Sequence, residues 1–270
     1  MNTTEIVRSR RSVRSFDGKE LPQDVLADIL HFAGQTENPY GLAIHWGLLD
    51  AKESRLSCPV ITGTDSYIAG RMARAPHAEE AFGFAFEKVV LYAHSKGIGT
   101  TWIAGTMDRA AFERALGLAE GEVMPCVSPL GLPAKKMSLR ETLMRKAIKA
   151  DTRLPFETLF FDGSFEKPLT EEAAGGLAEV LEMVRWAPSA VNKQPWRLIV
   201  CENTVHFYEK HDKGYVGADS WDVQKIDMGI ALCHFAAGMG EKGKALSFRL
   251  EDPGLACPPE TEYVASFTVL

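Results

Sequence analysis

Two stretches decide the fold: EAFGFAFEKVVLYAHS over Glu80–Ser95 and VQKIDMGIALCHFAAGM over Val223–Met239. Each is long enough to form a helix of several turns and is apolar on nearly every side. Such a helix is buried on most of its faces rather than lying on a surface. The sequence therefore predicts two core helices, with Gly97 and Gly243 at corresponding places where each helix should end.

An internal repeat surrounds these two helices. Phe16-Asp17-Gly18 precedes one helical pattern, and Phe161-Asp162-Gly163 precedes a second one. Pro22 suits the first turn of the first helix, and Thr170 suits the N-cap of the second. Each helix is followed by a loop and then by a strand-like run that opens near a tryptophan. These two runs are Ile44–Leu49 and Trp196–Cys201.

The matched order of elements predicts two diverged tandem halves, about residues 1–140 and 141–270, within a single unit over 1–270. The fold class is then α+β, with the two core helices meeting at a pseudo-twofold axis. A fused pair of this kind needs no second chain, so a monomer is expected. The alternative is two unrelated α/β segments that share only their turn chemistry.

Composition excludes several classes of function. The chain has 270 residues, is 46% hydrophobic and carries a formal net charge of −6. An acidic chain has no general attraction to nucleic acid or to anionic membranes. Apolar runs stay far below the roughly 18 residues of a membrane span, and no apolar stretch follows the basic N-terminus as a signal peptide would require. We expect no nucleic acid, no membrane and a cytoplasmic location.

Cysteine and histidine patterns give no metal or disulfide signal. Five widely spaced cysteines contain no CxxC pair, which indicates reduced thiols rather than a zinc site or a disulfide framework. The histidines show no HExxH spacing, and His94 and His234 fall within the two core helices. They are expected as hydrogen-bonded core residues, and no metal is expected. No GxSxG elbow or Walker A loop is present.

The segment Arg10–Phe16 reads RRSVRSF and combines three arginines with two serines. Guanidinium groups bind phosphate as a planar fork, and a serine hydroxyl adds a further donor. The segment is thus a candidate phosphate site. A solvated basic arm is the alternative.

The loop Pro188–Trp196 reads PSAVNKQPW and joins a helix end to a strand. Two prolines fix its path, and serine, asparagine and glutamine supply hydrogen-bonding groups. Loops held by flanking elements often contact ligands. A stiff connector whose polar side chains cap the helix is the alternative.

Two further segments hold small or basic residues. Gly97–Gly105 reads GIGTTWIAG but follows a helix and lacks the third glycine of a dinucleotide fingerprint. It suits a strand whose backbone approaches a flat ligand closely. Pro125–Gly131 predicts a strand, and a basic stretch with Lys135, Lys136 and Arg140 follows. That stretch could add cations to an anion site or be a solvated face.

Together, RRSVRSF, GIGTTWIAG and PSAVNKQPW resemble the nitroreductase superfamily of FMN enzymes, and the resemblance spans almost the whole chain. It implies that the arginine-rich segment holds the FMN phosphate and one edge of the flavin. It also implies that the proline–serine–asparagine loop packs on the isoalloxazine and that the glycine-ended segment donates backbone N–H groups near flavin N5. The cofactor-binding residues so implied are Arg10, Arg11, Ser12, Arg14, Ala104, Gly105, Lys135, Lys136, Pro188, Ser189, Ala190, Asn192 and Gln194.

The chain departs from the usual pattern of that family, in which a homodimer supplies both sides of the site. The arginine motif occurs only in the first half and the PSAVNKQPW loop only in the second. The counterpart of the arginine motif, Leu154–Thr158, has no RRS, and the counterpart of the loop, Glu37–Tyr40, has lost its serine and glutamine. The pattern resembles the single-chain tandem members of the superfamily, with one composite site retained.

The resemblance implies an FMN-dependent oxidoreductase. It would take hydride from NADH or NADPH at flavin N5 and reduce a small-molecule nitro compound, quinone or similar acceptor in a ping-pong cycle. The flavin carries this chemistry, so no catalytic side chain is required. Arg14 is the candidate for stabilising the reduced ring. Two alternatives are a flavin-binding storage or sensing protein without turnover and an interaction scaffold with a vestigial flavin site.

Overall fold

A computed structural model describes residues 2–214 and 222–270, and the chain forms two compact units. One unit is Ser9–Lys149, and the other is Ala150–Leu270 together with the N-terminal residues up to Arg8. Compact units need not be repeats, so the two halves at 1–140 and 141–270 stay a prediction.

A four-stranded antiparallel sheet organises the Ser9–Lys149 unit. Its central strand pairs with one strand along one edge and with two short strands along the other. Helix α1 (Thr3–Ser9) opens the chain. The unit then contains α2 (Gln23–Gly34), β1 (His45–Asp50), central β2 (Ser66–Ala73), α3 (Ala78–Ser95), α4 (Arg109–Leu116), β3 (Glu122–Val123), β4 (Val127–Pro129) and α5 (Leu139–Ala147).

Helix α3 is the first of the two predicted core helices, and most of its residues are buried. Trp46 on β1 packs against Phe82 and Phe86, with ring centroids 5.8 and 5.3 Å apart. Trp102 meets Phe86 edge-on at 4.8 Å. Burying one such aromatic side chain stabilises a fold by about 1.5–3 kcal/mol, so this cluster fixes α3 against the sheet.

A five-stranded sheet organises the other unit. Its first two strands are parallel and the remaining pairs are antiparallel. In chain order the elements are α6 (Phe156–Leu159), β5 (Phe160–Asp162), α7 (Glu171–Ala174), α8 (Ala178–Arg185), β6 (Trp196–Cys201), β7 (Thr204–Lys210), α9 (Val223–Glu241), β8 (Leu246–Arg249) and β9 (Thr261–Val269). The strand order is β5-β6-β7-β9-β8.

Helix α9 is the second predicted core helix. Phe235 packs against Phe207 of β7 and Phe267 of β9, with ring centroids 5.5 and 5.8 Å apart. His234 is fully buried, and its Nδ1 lies 2.9 Å from the carbonyl oxygen of Met183. The prediction of a satisfied core histidine is correct at this position.

Both core helices end in the same Schellman motif. In the first half, Gly97 has φ of +79°, its N–H donates to the His94 carbonyl, and the Ile98 N–H donates to the Ala93 carbonyl. A positive φ at this position is what glycine permits at least cost. The second core helix ends in the same way: the Gly243 N–H donates to the Gly240 carbonyl, and the Lys244 N–H donates to the Met239 carbonyl. The two predicted helix stops are thus confirmed.

Four features differ from the sequence-based expectation. The helix capped by Thr170 is interrupted by a 3₁₀ turn over Gly175–Leu177, because the Gly175-Gly176 pair favours neither helix nor strand. The segment Gly97–Gly105 is not a regular strand; it makes only isolated bridges. The strand predicted over Pro125–Gly131 is confined to β4, and Pro22 precedes α2 instead of lying in its first turn.

Within the described residues, no helix has both the length and the apolar character needed to cross a membrane.

Candidate functional site

Backbone pairing fixes the arginine-rich segment of the Ser9–Lys149 unit. Ser12 bridges Thr100 in parallel, and the Val13 N–H donates to the Thr100 carbonyl at 2.8 Å. Further along, Phe16 bridges Pro133. The segment is therefore an ordered part of the unit, which excludes the alternative of a solvated basic arm.

Two glycines allow this segment to lie close to its neighbours. Gly99 and Gly131 bridge each other. A Cβ on Gly99 would lie 3.0 Å from Val13 side-chain atoms, and one on Gly131 would lie 2.7 Å from Cδ1 of Phe16. Close packing against Val13 and Phe16 explains both glycines, whereas the close approach of a flat ligand to Gly97–Gly105 stays a prediction.

Gly131→Ala should lower the free energy of unfolding by about 1–3 kcal/mol, because the new methyl group overpacks against the buried Phe16 ring. Chemical denaturation with matched Gly105→Ala as control measures the effect. A Cβ on Gly105 meets nothing within 4 Å, so that variant should stay near wild type. Equal stability of the two variants would show that the space beside Phe16 does not require a glycine at position 131.

Arg10 is buried beside α3. Its side chain is 5% exposed, and its Nε lies 3.9 Å from Oε1 of the fully buried Glu87. The other oxygen of Glu87 accepts from Nε1 of Trp102 at 3.1 Å. Burial lowers the pKa of Arg10, and Glu87 partly offsets that shift. Within the described residues, Nε and Nη1 of Arg10 have no hydrogen-bond partner, which leaves buried donors for an acceptor.

A second buried carboxylate faces the segment from α5. Ser138 caps α5 by accepting from the Glu141 N–H, and Oε1 of Glu141 lies 3.5 Å from Nη1 of Arg11. Arg14 shows no ion pair within the described residues. Burial lowers the pKa of Arg14; Glu141 opposes this shift and nearby Arg145 adds to it.

Arginine charge thus accumulates at one place. Burial is the main cause of the lowered pKa of Arg10 and of Arg14, and repulsion from Arg145 adds to the shift of both groups. Arg10 and Arg11 also lower the pKa of His94, after burial as the larger cause. We call Arg10, Arg11, Arg14 and Arg145 the arginine cluster; its local field favours an anion.

The two remaining lysine candidates lie between Ala134 and Ser138, whose N–H groups both donate to Ser15 of the arginine-rich segment. Lys135 and Lys136 are exposed in the turn before α5, and no ion pair of the described residues involves them. Nη1 of Arg140 donates to the Pro59 carbonyl at 2.7 Å, which is a structural role. A part for the two lysines in binding phosphate stays a prediction.

Arg109 on α4 holds the segment that contains Ala104 and Gly105. Its two terminal nitrogens donate to the carbonyl oxygens of Met124, Ala104 and Pro125 at 2.5, 2.6 and 3.1 Å. The backbone N–H groups of Ala104 and Gly105 make no hydrogen bond within the described residues. The predicted flavin contact requires two such N–H groups that have no other hydrogen-bond acceptor.

The loop Pro188–Trp196 belongs to the other unit and is conformationally strained. Val191, Asn192 and Gln194 have φ of +42°, +60° and +52°. A β-branched residue with positive φ is a genuine outlier, and such strain is found where surrounding structure enforces it, commonly at functional sites.

Polar side chains brace this loop internally. Oε1 of the buried Gln194 accepts from the Leu154 N–H at 2.9 Å. Oγ of Ser189 accepts from the Gln194 N–H at 2.9 Å, and Asn192 donates to the Thr152 carbonyl at 3.1 Å. These bonds match the stiff-connector alternative, and contacts of Pro188, Ser189, Ala190, Asn192 and Gln194 with a flavin stay a prediction.

Asp227 anchors the same loop from α9. Both of its carboxylate oxygens lie 3.0 Å from the Ala190 nitrogen, and its side chain is buried. Burial raises the pKa of Asp227 well above its ordinary value; the Ala190 N–H opposes the shift and Asp222 adds to it. Asp227 is therefore more readily protonated in the folded protein than in the unfolded chain.

Asp227→Asn should stabilise the protein relative to wild type increasingly as pH rises. A raised folded-state pKa contributes stability that is fully present below the unfolded pKa of aspartate and is lost as pH passes through the folded value. Asparagine keeps the acceptor for Ala190 and cannot ionise. Urea unfolding of both proteins, from below the unfolded pKa of aspartate to above the folded pKa of Asp227, measures their difference in unfolding free energy. A difference that does not change with pH would show that Asp227 is not the titrating group.

The structure therefore brings Arg10, Arg11, Ser12 and Arg14 together and adds Arg145, Glu87, Glu141 and Arg109, which sequence reasoning missed. Glu141 and Arg145 are four residues apart on one helix, a spacing that puts them on the same face. This four-residue spacing could be found in the sequence, immediately after the basic stretch that contains Lys135, Lys136 and Arg140. Nothing local marks Glu87 as the partner of Arg10, since it lies in the middle of an apolar helix.

Comparison with known proteins identifies the family. Residues 2–239 match the family model described as "Putative TM nitroreductase". Comparison with curated protein sequences finds no significant match.

Solved structures match as well. A nitroreductase-type structure from Thermotoga maritima MSB8 is 20% identical, with 100% of this chain and 94% of that chain covered and a TM-score of 0.63. An FMN-dependent nitroreductase from Clostridium difficile R20291 is 19% identical, covering 52% of this chain and 94% of its own, with a TM-score of 0.42. An FMN- and NADPH-dependent nitroreductase from Sphigopyxis sp. strain HMH is 13% identical, covering 51% and 90%, with a TM-score of 0.44.

The chain has an α+β nitroreductase fold. It belongs to the nitroreductase family that the matched model describes, and this membership supports an oxidoreductase. The predicted fold class and the predicted family are confirmed.

Proposed function

We propose that the protein is an FMN-dependent oxidoreductase that uses NADH or NADPH to reduce a nitro compound, a quinone or a similar small acceptor. The arginine cluster carries the proposal. It combines buried, unsatisfied donors on Arg10 with the unpaired guanidinium of Arg14. Family membership supports an oxidoreductase reaction, and the cluster is the proposed place for an anionic cofactor on this chain.

The residues present fit the phosphate-bearing cofactor. Buried arginine donors without acceptors cost free energy, and a phosphate oxygen would satisfy them with charge-assisted hydrogen bonds. Ser12 lies between the arginines on the same ordered segment and would add a neutral donor. Glu87 and Glu141 neutralise part of the positive charge, so the cluster would hold an anion without an excess of buried charge.

Each side chain has a separate task in this proposal. Arg10, Arg11 and Ser12 would bind the phosphate, while Arg14 would stabilise negative charge on the ring. Backbone N–H groups of Ala104 and Gly105, fixed by Arg109, would orient it. When bound, FMN would supply the acceptance of hydride from the nicotinamide and its transfer to the acceptor. Lys135 and Lys136 are weaker candidates for the phosphate.

Loop residues of the other unit, Pro188, Ser189, Ala190, Asn192 and Gln194, are proposed to pack on the isoalloxazine, as the family resemblance implies. We also propose a cytoplasmic monomer. Light scattering tests the monomer, and a dimer would overturn that part alone.

Anaerobic reduction of the FMN-loaded protein tests the function. Addition of NADH or NADPH should bleach the oxidised-flavin absorbance, and a nitroaromatic or a quinone should restore it in a second, separate step. Bleaching by neither nucleotide would favour a flavin-binding storage or sensing protein. If oxygen restores the absorbance faster than every nitroaromatic or quinone tested, the proposed class of acceptor is wrong.

A further inference from the structure

Three potential metal ligands converge in the second unit, at the end of β7 and the start of α9. Glu209, His211 and Asp222 each offer one ligand atom, and these atoms all lie within 4.8 Å of one another. Glu209 is fully buried and Asp222 is 8% exposed, whereas the His211 side chain is 27% exposed. The group therefore combines buried carboxylates with one imidazole that solvent can reach.

Local structure fixes all three side chains. Glu209 and His211 are two residues apart at the end of a strand, which places them on the same face. The His211 N–H donates to the Glu260 carbonyl at 2.8 Å. Asp222 is the N-cap of α9, and both capping hydrogen bonds use its Oδ1, so Oδ2 is the oxygen left for a further ligand among the described residues.

The surroundings of His211 have the arrangement of a metal-binding histidine. Its Nδ1 lies 2.8 Å from Oε1 of Glu209, and its Nε2 lies 3.4 Å from Oε1 of Glu262. Histidine ligands commonly donate their second ring N–H to a carboxylate, which fixes the tautomer and raises the basicity of the other nitrogen. With the proton on Nε2, the Nδ1 lone pair would face a buried carboxylate. That approach is repulsive unless a proton or a cation lies between the two atoms.

We propose that Glu209, His211 and Asp222 bind a divalent transition-metal cation, with Glu262 as the carboxylate that orients His211. One imidazole nitrogen and two carboxylate oxygens suit Zn²⁺, which binds such ligands at about 2.0–2.2 Å with water in the remaining position. A tetrahedron of that size separates ligand atoms by about 3.4 Å. The ligand atoms lie within 4.8 Å of one another, so small side-chain rotations would bring them to this separation.

Charge supports a cation at this place. The group contains three carboxylates, those of Glu209, Asp222 and Glu262, beside His211 and Lys225. Nζ of Lys225 lies 3.3 Å from Oε1 of Glu262. A divalent ion would compensate the negative charge of the two buried carboxylates, Glu209 and Asp222. The sequence pattern gave no hint of the site, because its ligands come from a strand end and a helix cap rather than from one short motif.

Cobalt titration of the metal-depleted full chain tests the site. Co²⁺ is a spectroscopic stand-in for Zn²⁺, and binding to nitrogen and oxygen ligands lacks the thiolate charge-transfer band that cysteine ligation would give. We expect one Co²⁺ per chain without that band, displaced by Zn²⁺. His211→Ala should weaken binding at least about 100-fold, and Glu262→Gln about 10- to 100-fold.

His206→Ala is the matched control, since His206 is also half-buried on β7 but bonds to Ser266 instead. It should bind Co²⁺ like wild type. Glu262 is 47% exposed, so its substitution tests the site even if His211→Ala fails to fold. Absence of saturable Co²⁺ binding, a thiolate band, or equal loss in His206→Ala would each overturn the proposal. None of these results depends on the flavin.

Discussion

The double substitution Ser12→Ala with Arg14→Ala should weaken FMN binding about 100-fold or more while the protein stays folded. A hydrogen bond to a charged group is worth about 1.5–3 kcal/mol, and each 1.4 kcal/mol is about tenfold in affinity. Arg14 has no ion pair within the described residues, so its removal leaves no buried carboxylate without its partner. Titration of the variant with FMN, followed by flavin absorbance, measures the loss.

Arg114→Ala is the control for the change in charge, since Arg114 lies exposed on α4 in the same unit. It should retain wild-type affinity. If the double variant binds FMN as tightly as Arg114→Ala does, the arginine cluster does not hold the cofactor. A lower melting temperature in the double variant alone would instead indicate a structural role.

Arg10→Ala should destabilise the folded protein by about 3–5 kcal/mol, the usual cost of removing one partner from a buried ion pair. Glu87 is fully buried and would keep its hydrogen bond from Trp102 but lose the neighbouring cation. The family resemblance implies only a cofactor-binding role for Arg10. The structure gives it a second role, so reduced FMN content in this variant would be ambiguous by itself.

A double-mutant cycle with Glu87→Gln separates the two roles. Glutamine keeps an acceptor for Trp102 and carries no charge, so it should recover much of the stability lost in Arg10→Ala. FMN affinity should stay low in the double variant, because the phosphate donor is still missing. Additive losses of stability in the cycle would show that the two side chains do not interact.

Local patterns predicted the framework of each unit. The all-round apolar character of residues 80–95 and 223–239 identified α3 and α9, and Gly97 and Gly243 identified their ends. The strand-like run that opens at Trp196 identified β6 with its bounds unchanged. These features depend on residues that are close in the sequence, which is why the sequence alone was sufficient.

The details of the candidate site depend on distant residues. Glu87 comes from the middle of α3 and Arg109 from α4, and only the fold brings them to Arg10 and Ala104. The predicted strand over Gly97–Gly105 forms only isolated bridges, because its pairing is divided among three separate places: Ser12, Gly131 and Val127 of β4. The positive φ of Val191 could not be predicted, because a β-branched residue disfavours that backbone conformation.

Titration of the freshly purified protein with FMN, followed by visible absorbance, tests the central claim most directly. The account predicts saturable binding near one FMN per chain, or a protein that is already yellow with bound flavin. A colourless protein that does not bind added FMN would contradict the proposed function while leaving the nitroreductase fold unchanged.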